Sequence, residues 1–382
     1  MQKNTVYADN AATTKLNRAA FEAMVPWLTD DYGNASQPYS LARSPKKALA
    51  DARAVIARCI NASPEEIYFT SGGTESDNWV IKGSAFADHQ KRATITSAIE
   101  HHAVLRSCEA IERFGYPVAY LDVTTEGVVT PEALESIITD NTRLVSVMYV
   151  NNEIGTIQPI KRLAEIAHNH GALFHTDAVQ AVGHVPVDVQ ALGVDMLSAS
   201  AHKFNGPKGV GFLYIKKGVQ IGRLADGGSQ ENGRRAGTEN IAGIVGMAIA
   251  LDNACTIIAS EMKRLEEFRA LLVDRLTEAG VDFIINGGNN VYPGTISLSF
   301  KNSDGERILH RLDLQGIYVS TGSACDSVNS QLSHVIRAIN VPNEYAKGTI
   351  RISFGRYNTT DDVEAIVKAL TKIQRGACFA TG

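Results

Sequence analysis

Long apolar runs are missing from this 382-residue chain: none reaches the roughly 18 residues that suggest a membrane span. An excess of one charge is missing too. Lys and Arg number 37 against 41 Asp and Glu, a net charge of −4, which argues against direct nucleic-acid binding and the basic face it ordinarily brings. Cysteine is scarce. The five, at positions 59, 108, 255, 325 and 378, include no pair close enough in sequence to read as a clip and no zinc-knuckle spacing, so no metal site is expected. A chain of this size needs no disulfide staples, which favours a reducing compartment and a cytoplasmic location. The opening MQKNTVYADNAATTK lacks the apolar run and small-residue cleavage site of a signal peptide. Internal repeats and low-complexity tracts are absent as well.

What is there is ample core material: 44% of residues are hydrophobic, and the length fits two domains. From about 65 to 215 short apolar strands alternate with amphipathic helices, from EIYFT (66–70) through RATITSA, YPVAYLD, RLVSVMYV, ALFHTDA and VDMLSAS to GFLYIK (211–216). Such alternation predicts a mostly parallel sheet covered on both faces. The last strand follows a glycine turn, and its direction is left open. After a long helical stretch (239–280) and the punctuation NGGNNVYPG, the strands TISLSF, GIYVST and GTIRISF alternate with helical segments in a smaller α/β unit of antiparallel or mixed sheet. The apolar 241–251 segment suits either core or a subunit interface, and the helical stretches of 16–60 suit either unit.

Chemistry-bearing loops fall where predicted strands end, the crevice side of an open α/β sheet. In TSGGTESDN (70–78), Gly72 and Gly73 permit close backbone approach, and Thr74 at a helix start suits a phosphate or a plain N-cap. Asp177 ends the strand of FHTDAVQ, where a buried carboxylate needs a cationic or hydrogen-bonding partner, and Gln180 follows one helical turn later. SASAHKFNGPKG delivers Ser200, His202 and Lys203 before an Asn-Gly-Pro turn. A lysine so held is a candidate for a depressed pKa and Schiff-base chemistry, although most lysines are solvated surface groups. Cys325 stands among small polar residues and reads as an exposed, mobile thiol, reactive or a bystander, whereas Cys59 and Cys255 have the apolar neighbours of core cysteines. Arg351 lies inside a strand. Arg356, in the turn after Gly355, offers a guanidinium fork for a carboxylate, or a surface charge.

Together these residues resemble the pyridoxal-phosphate-dependent cysteine desulfurases of the NifS/IscS type, within the class V aminotransferase superfamily. The resemblance runs from YADNAATT (7–14) to the final helix and rests on TSGGTESDN, EHHAV, NNEIG, HTDAVQ, SAHKFNGPKG, RRAGTEN, STGSAC and FGRY in order. It implies a fold type I α/β architecture: a large domain (16–260) with a mostly parallel seven-stranded sheet that binds the cofactor, and a small α/β domain (1–15 and 261–382) carrying the Cys325 loop. It also implies pyridoxal 5′-phosphate linked to Lys203, with Asp177 at the ring nitrogen and His101 stacked on the ring. Asn152 and Gln180 would lie near the phenolic oxygen. Gly73, Thr74, Ser200 and His202 would hold the phosphate, with Thr238 reaching in from the partner of a homodimer. Arg356, with Asn152, would bind the substrate, and Cys325 would take its sulfur as a persulfide.

The implied reaction converts L-cysteine to L-alanine and passes sulfur to an acceptor protein, an iron–sulfur scaffold or a thiolation enzyme. A selenocysteine lyase or a class V aminotransferase acting on a small amino acid are the alternatives. Asp326, where the family often has serine, should raise the pKa of Cys325 unless it points away.

Overall fold

The structure, a computed structural model, describes residues 5–87, 90–322 and 332–378. Twelve strands occur among them. β1 (Val6–Tyr7) precedes the strands of the large sheet: β2 (Ile67–Thr70), β3 (Ala93–Ser97), β4 (Val118–Leu121), β5 (Thr142–Ser146), β6 (Leu173–Asp177), β7 (Met196–Ser200) and β8 (Gly211–Ile215). β9 (Phe283–Asn286), β10 (Thr295–Phe300), β11 (Ile317–Tyr318) and β12 (Thr349–Ser353) follow.

The large sheet runs β2-β8-β7-β6-β5-β3-β4. Strands β7, β6, β5, β3 and β4 are mutually parallel, while β8 is antiparallel to both β7 and β2. The direction left open for GFLYIK is therefore antiparallel. β7 and β8 are buried at every residue because helices cover both faces, the reason these strands read as apolar runs without alternation. The helix Ile160–Asn169 shows the matching logic, burying Ile160, Leu163, Ala164 and Ala167 at helical spacing. Since β2 runs in the same sense as β7, the carboxyl ends of β2, β3, β5, β6 and β7 open along one edge.

The smaller unit is an antiparallel sheet, β12-β10-β9, covered by the helices Ile258–Glu278, Gly305–Asp313 and Thr360–Cys378. β1 pairs in parallel with β11, and Asn10 N donates to Ser353 O, so the N-terminal segment runs along the small unit and then turns toward the large sheet. Arg18–Met24 and Arg43–Cys59 pack on the helix Ile241–Cys255. That apolar helix is core, burying Ile244, Met247, Ala248 and Leu251 beneath them. No single helix among the described residues is long and apolar enough to cross a membrane.

Candidate active site

A cavity of about 540 Å³ opens at the carboxyl edge of the large sheet, and residues from five separate strand ends line it. Strand β7 delivers Ser200 and then the short turn Ala201–Lys203. Asn205 in the left-handed region and Gly206, where a Cβ would lie 2.8 Å from Ala201 O, close that turn. Lys203 Nζ donates to Ala11 O (2.6 Å) and Ala12 O (2.9 Å), which fixes the amine where the N-terminal segment crosses the cavity. Gln180, on the same wall, donates to Ala11 O at 2.9 Å.

Asp177 is buried at the end of β6, where its Oδ1 accepts from Val179 N at 2.9 Å. Burial pushes its carboxyl up to about 6, against the lowering pull of that N–H and of the Lys203 ammonium. Behind it lies Asp77, also buried and pushed well above the carboxylate range by burial and by Asp177. The His175 ring sits between Ser146 Oγ and Ser198 Oγ, 3.8 Å from Asp77 Oδ1, and burial holds it neutral with a pKa of about 3.

His101 caps the helix His102–Glu112, its Nδ1 accepting from Ala103 N at 3.1 Å. Burial, then the Lys203 charge, bring its pKa down to about 4. The ring is thus neutral with its proton on Nε2, an apolar face rather than a cation. Across the cavity, the helix Gly73–Ala87 starts at Gly72 (φ 149°) and Gly73. A Cβ on Gly73 would lie 2.5 Å from Val179 Cγ2, so only glycine keeps this helix start against the wall. Thr74, Ser200 and His202 surround it. His202 Nδ1 lies 3.2 Å from Thr13 Oγ1, and burial together with the Lys203 charge brings its pKa down to about 4. Glu75 accepts from Ser71 N and is held by Arg235 at 2.8 Å. Burial pushes its carboxyl up, but these partners outweigh it and leave the pKa low.

The structure brings Lys203, Asp177, His101, Gln180, Asn152, Gly73, Thr74, Ser200 and His202 to this one cavity. Arg356 is not among them. The Gly355 turn carries it past Asn10 into an adjoining recess with His184 and Tyr292, which shares Ala11 and Gln180 with the cavity. Arg351 occupies the wall instead, 3% exposed, with Nη2 at 2.8 Å from Asp9 Oδ1 and Nη1 donating to Asn152 O at 2.9 Å. Its Nε has no hydrogen-bond partner among the described residues. Sequence reasoning passed over Arg351 because a residue within a strand reads as structural. It also passed over Asp77, whose helical pattern hides that it faces Asp177.

Thr238 lies in a neighbouring recess with Arg235 and Glu239, which shares Ser71 and Gly209 with the cavity edge, but it does not line the cavity. Cys325 lies outside the described residues. The residues flanking its segment are placed: a Cβ on Gly322 would lie 2.9 Å from Glu153 Oε2, and Ser333 Oγ donates to that same oxygen at 2.6 Å. His334, next in line, lies on the cavity and donates to Glu100 O. Both ends of the segment that carries Cys325 therefore meet one buried carboxylate, beside Asn152 on the cavity wall.

The aminotransferase class-V family model matches residues 6–366. The chain belongs to that family, as one of its NifS/IscS-type cysteine desulfurases. It is 49% identical over 373 residues to cysteine desulfurase IscS of Dictyoglomus turgidum, covering 97% of this chain and 95% of that one. Among solved structures it matches a "NIFS-LIKE PROTEIN" with a TM-score of 0.91 at 40% identity, covering 97% of this chain and 99% of that one. "SspA in complex with cysteine" matches with a TM-score of 0.82 at 34% identity over 93% and 100%. The family is pyridoxal-phosphate-dependent, and its large mostly parallel sheet with a smaller α/β unit is the architecture seen here.

Proposed function

We propose that this enzyme converts L-cysteine to L-alanine and receives the sulfur on Cys325 as a persulfide, for transfer to an acceptor protein. The observation that carries the reading is the convergence of Lys203, Asp177 and Arg351 on one cavity, with Gly322 and Ser333 meeting at Glu153 on its rim.

The donor set fits pyridoxal 5′-phosphate. Gly72 and Gly73 leave a helix N-terminus open to a phosphate, with the hydroxyls of Thr74 and Ser200 and the ring of His202 around it. Asp177 would face the ring nitrogen, the neutral His101 the ring, Asn152 and Gln180 the phenolic oxygen, and Lys203 would hold the group covalently. When bound, that group supplies an electron sink for the carbons next to the substrate amine.

The chain's own residues do the rest. Arg351 takes the substrate carboxylate on its planar fork and sets the α-hydrogen toward Lys203. Lys203 Nζ, once free, removes that proton. The Cys325 thiolate attacks the substrate sulfur, forming an S–S bond as the Cβ–S bond breaks. The electron pair left at Cβ takes a proton, and Lys203 Nζ returns a proton to the α-carbon, giving alanine. Cys325 stands three residues beyond Gly322, a reach of up to about 10 Å of extended chain.

The enzyme is proposed to act as a homodimer, with Thr238 serving the partner's cavity, which accounts for its place outside its own. Purified wild-type enzyme should show a yellow bound cofactor and, with dithiothreitol present to reduce the persulfide, release sulfide and alanine from cysteine in equal amounts. Cys325→Ala should keep the colour and lose both products. Alanine formation surviving in that variant would instead support an aminotransferase, and a kcat/KM favouring selenocysteine over cysteine would support the lyase.

A further inference from the structure

Away from the active site, two thiols meet at the joint between the two units. Cys59 ends the helix Arg43–Cys59, and Cys255 ends the helix Ile241–Cys255 packed against it. Both are free and half-buried, and their side chains interact directly. Both open on the same surface groove of about 560 Å³, which Thr256, Met262 and Lys263 also line. A salt bridge one turn away, Arg58 Nη2 to Asp252 Oδ1 at 2.7 Å, ties the two helix ends together. Thr256 and Ile257 then form an elbow: the following helix, Ile258–Glu278, leaves at 69° and packs on Thr360–Cys378 in the small unit. Cys255 is thus the last helical residue of the large unit before the chain crosses to the small one.

We propose that Cys59 and Cys255 are a redox-responsive dithiol, oxidised to an intramolecular disulfide by small-molecule disulfides, and that closing the bond pins the elbow at Thr256–Ile257. The groove admits the oxidant, and the adjacency of the two sulfurs lets the second thiol resolve what the first one forms. The contact with Cys59 lowers the Cys255 thiol against burial and the Asp252 carboxylate, Arg58 adding a smaller lowering, while the same contact and burial push Cys59 up. Either thiol, Cys255 for instance, attacks one sulfur of the oxidant R–S–S–R, forming a mixed disulfide and releasing one RSH. The Cys59 sulfur then attacks Cys255 Sγ and displaces the second RSH. Two electrons and both thiol protons end on the two RSH molecules, and one protein S–S bond is made.

The test is incubation of the holoenzyme with oxidised glutathione, followed by tryptic digestion without reductant and mass spectrometry. Peptides 59–82 and 236–263 should appear joined, with the mass of two hydrogens lost, and should separate on adding dithiothreitol. In Cys59→Ser the cross-link should vanish and Cys255 should carry glutathione. Cys108, wholly buried, should stay unmodified in the folded protein. Amide exchange of residues 256–262 should slow about tenfold in the cross-linked form. Recovery of the two peptides separately, with free thiols or each with its own glutathione, would overturn the dithiol, and unchanged exchange in cross-linked protein would overturn the pinning. Neither readout depends on turnover or on Cys325.

Discussion

Arg351 Nη2 lies 2.8 Å from Asp9 Oδ1, joining residues 342 positions apart across the cavity wall. The pair fixes a guanidinium at the place where the N-terminal segment, the small sheet and Asn152 meet, and a lysine there would keep the charge but lose the fork. Arg351→Lys should lower kcat/KM for cysteine about 100-fold, chiefly through KM, as expected for loss of a charge-assisted pair of hydrogen bonds. Arg356→Ala should change it less than about twofold, since Arg356 faces another recess. Steady-state alanine production checks both, and equal losses in the two variants would remove the distinction between these arginines.

The Glu153 carboxylate holds Ser333 and abuts Gly322, so it sets both ends of the segment between them. Glu153→Ala and Ser333→Ala should each lower kcat for sulfide release about tenfold with KM for cysteine little changed. The double variant should be no worse than either single one, because both remove the same contact. Additive losses would mean that the two residues act separately.

The sequence pattern made part of this legible, for physical reasons. Strands buried on both faces produce apolar runs whatever their direction, so the sheet could be read but the antiparallel sense of β8 could not. Lys203 was legible because an Asn-Gly-Pro turn directly after a buried strand restricts where its side chain goes. The placement of Arg351 was not, because which face of β12 meets the cavity depends on Asp9 and on β10, partners remote in sequence. Cys59 and Cys255 looked like core residues because their neighbours are apolar. Only the packing of two helix ends, 196 positions apart, brings them together at an open groove.

Gly73 begins its helix with no room for a side chain, because Val179 Cγ2 occupies the place of a Cβ. Gly73→Ala should therefore move the helix start or Val179 and weaken cofactor retention about tenfold, with little loss of thermal stability. Adding Val179→Ala should restore retention, since the obstructing methyl is removed. Cofactor absorbance during dialysis reads both. A Gly73→Ala protein that keeps its cofactor as wild type does would show that the helix start has slack.

Stability of the cofactor-free protein should pass through a maximum near neutral pH. His101, His175, His184 and His202 are held neutral by burial, with pKa values of about 4, 3, 4 and 4. The unfolded chain binds protons at these sites below about pH 6.5, so stability present above that pH is lost as the pH falls toward 4. Glu100 works in the opposite sense. Its Oε1 accepts from Ser97 Oγ and Met148 N, its Oε2 has no partner among the described residues, and burial pushes its pKa up to about 8. Here the folded state binds the extra proton, so the stability it contributes is present at low pH and is lost as the pH rises through 8. Above about pH 7.5 the histidines are nearly all neutral in both states, and the remaining titration of Glu100 should cost about 1 kcal/mol. Urea unfolding at a series of pH values measures the curve, and Glu100→Gln should flatten its alkaline limb while leaving the acid limb in place. An alkaline limb unchanged in that variant would assign the loss to another group, of which the buried Asp77 is the first to test.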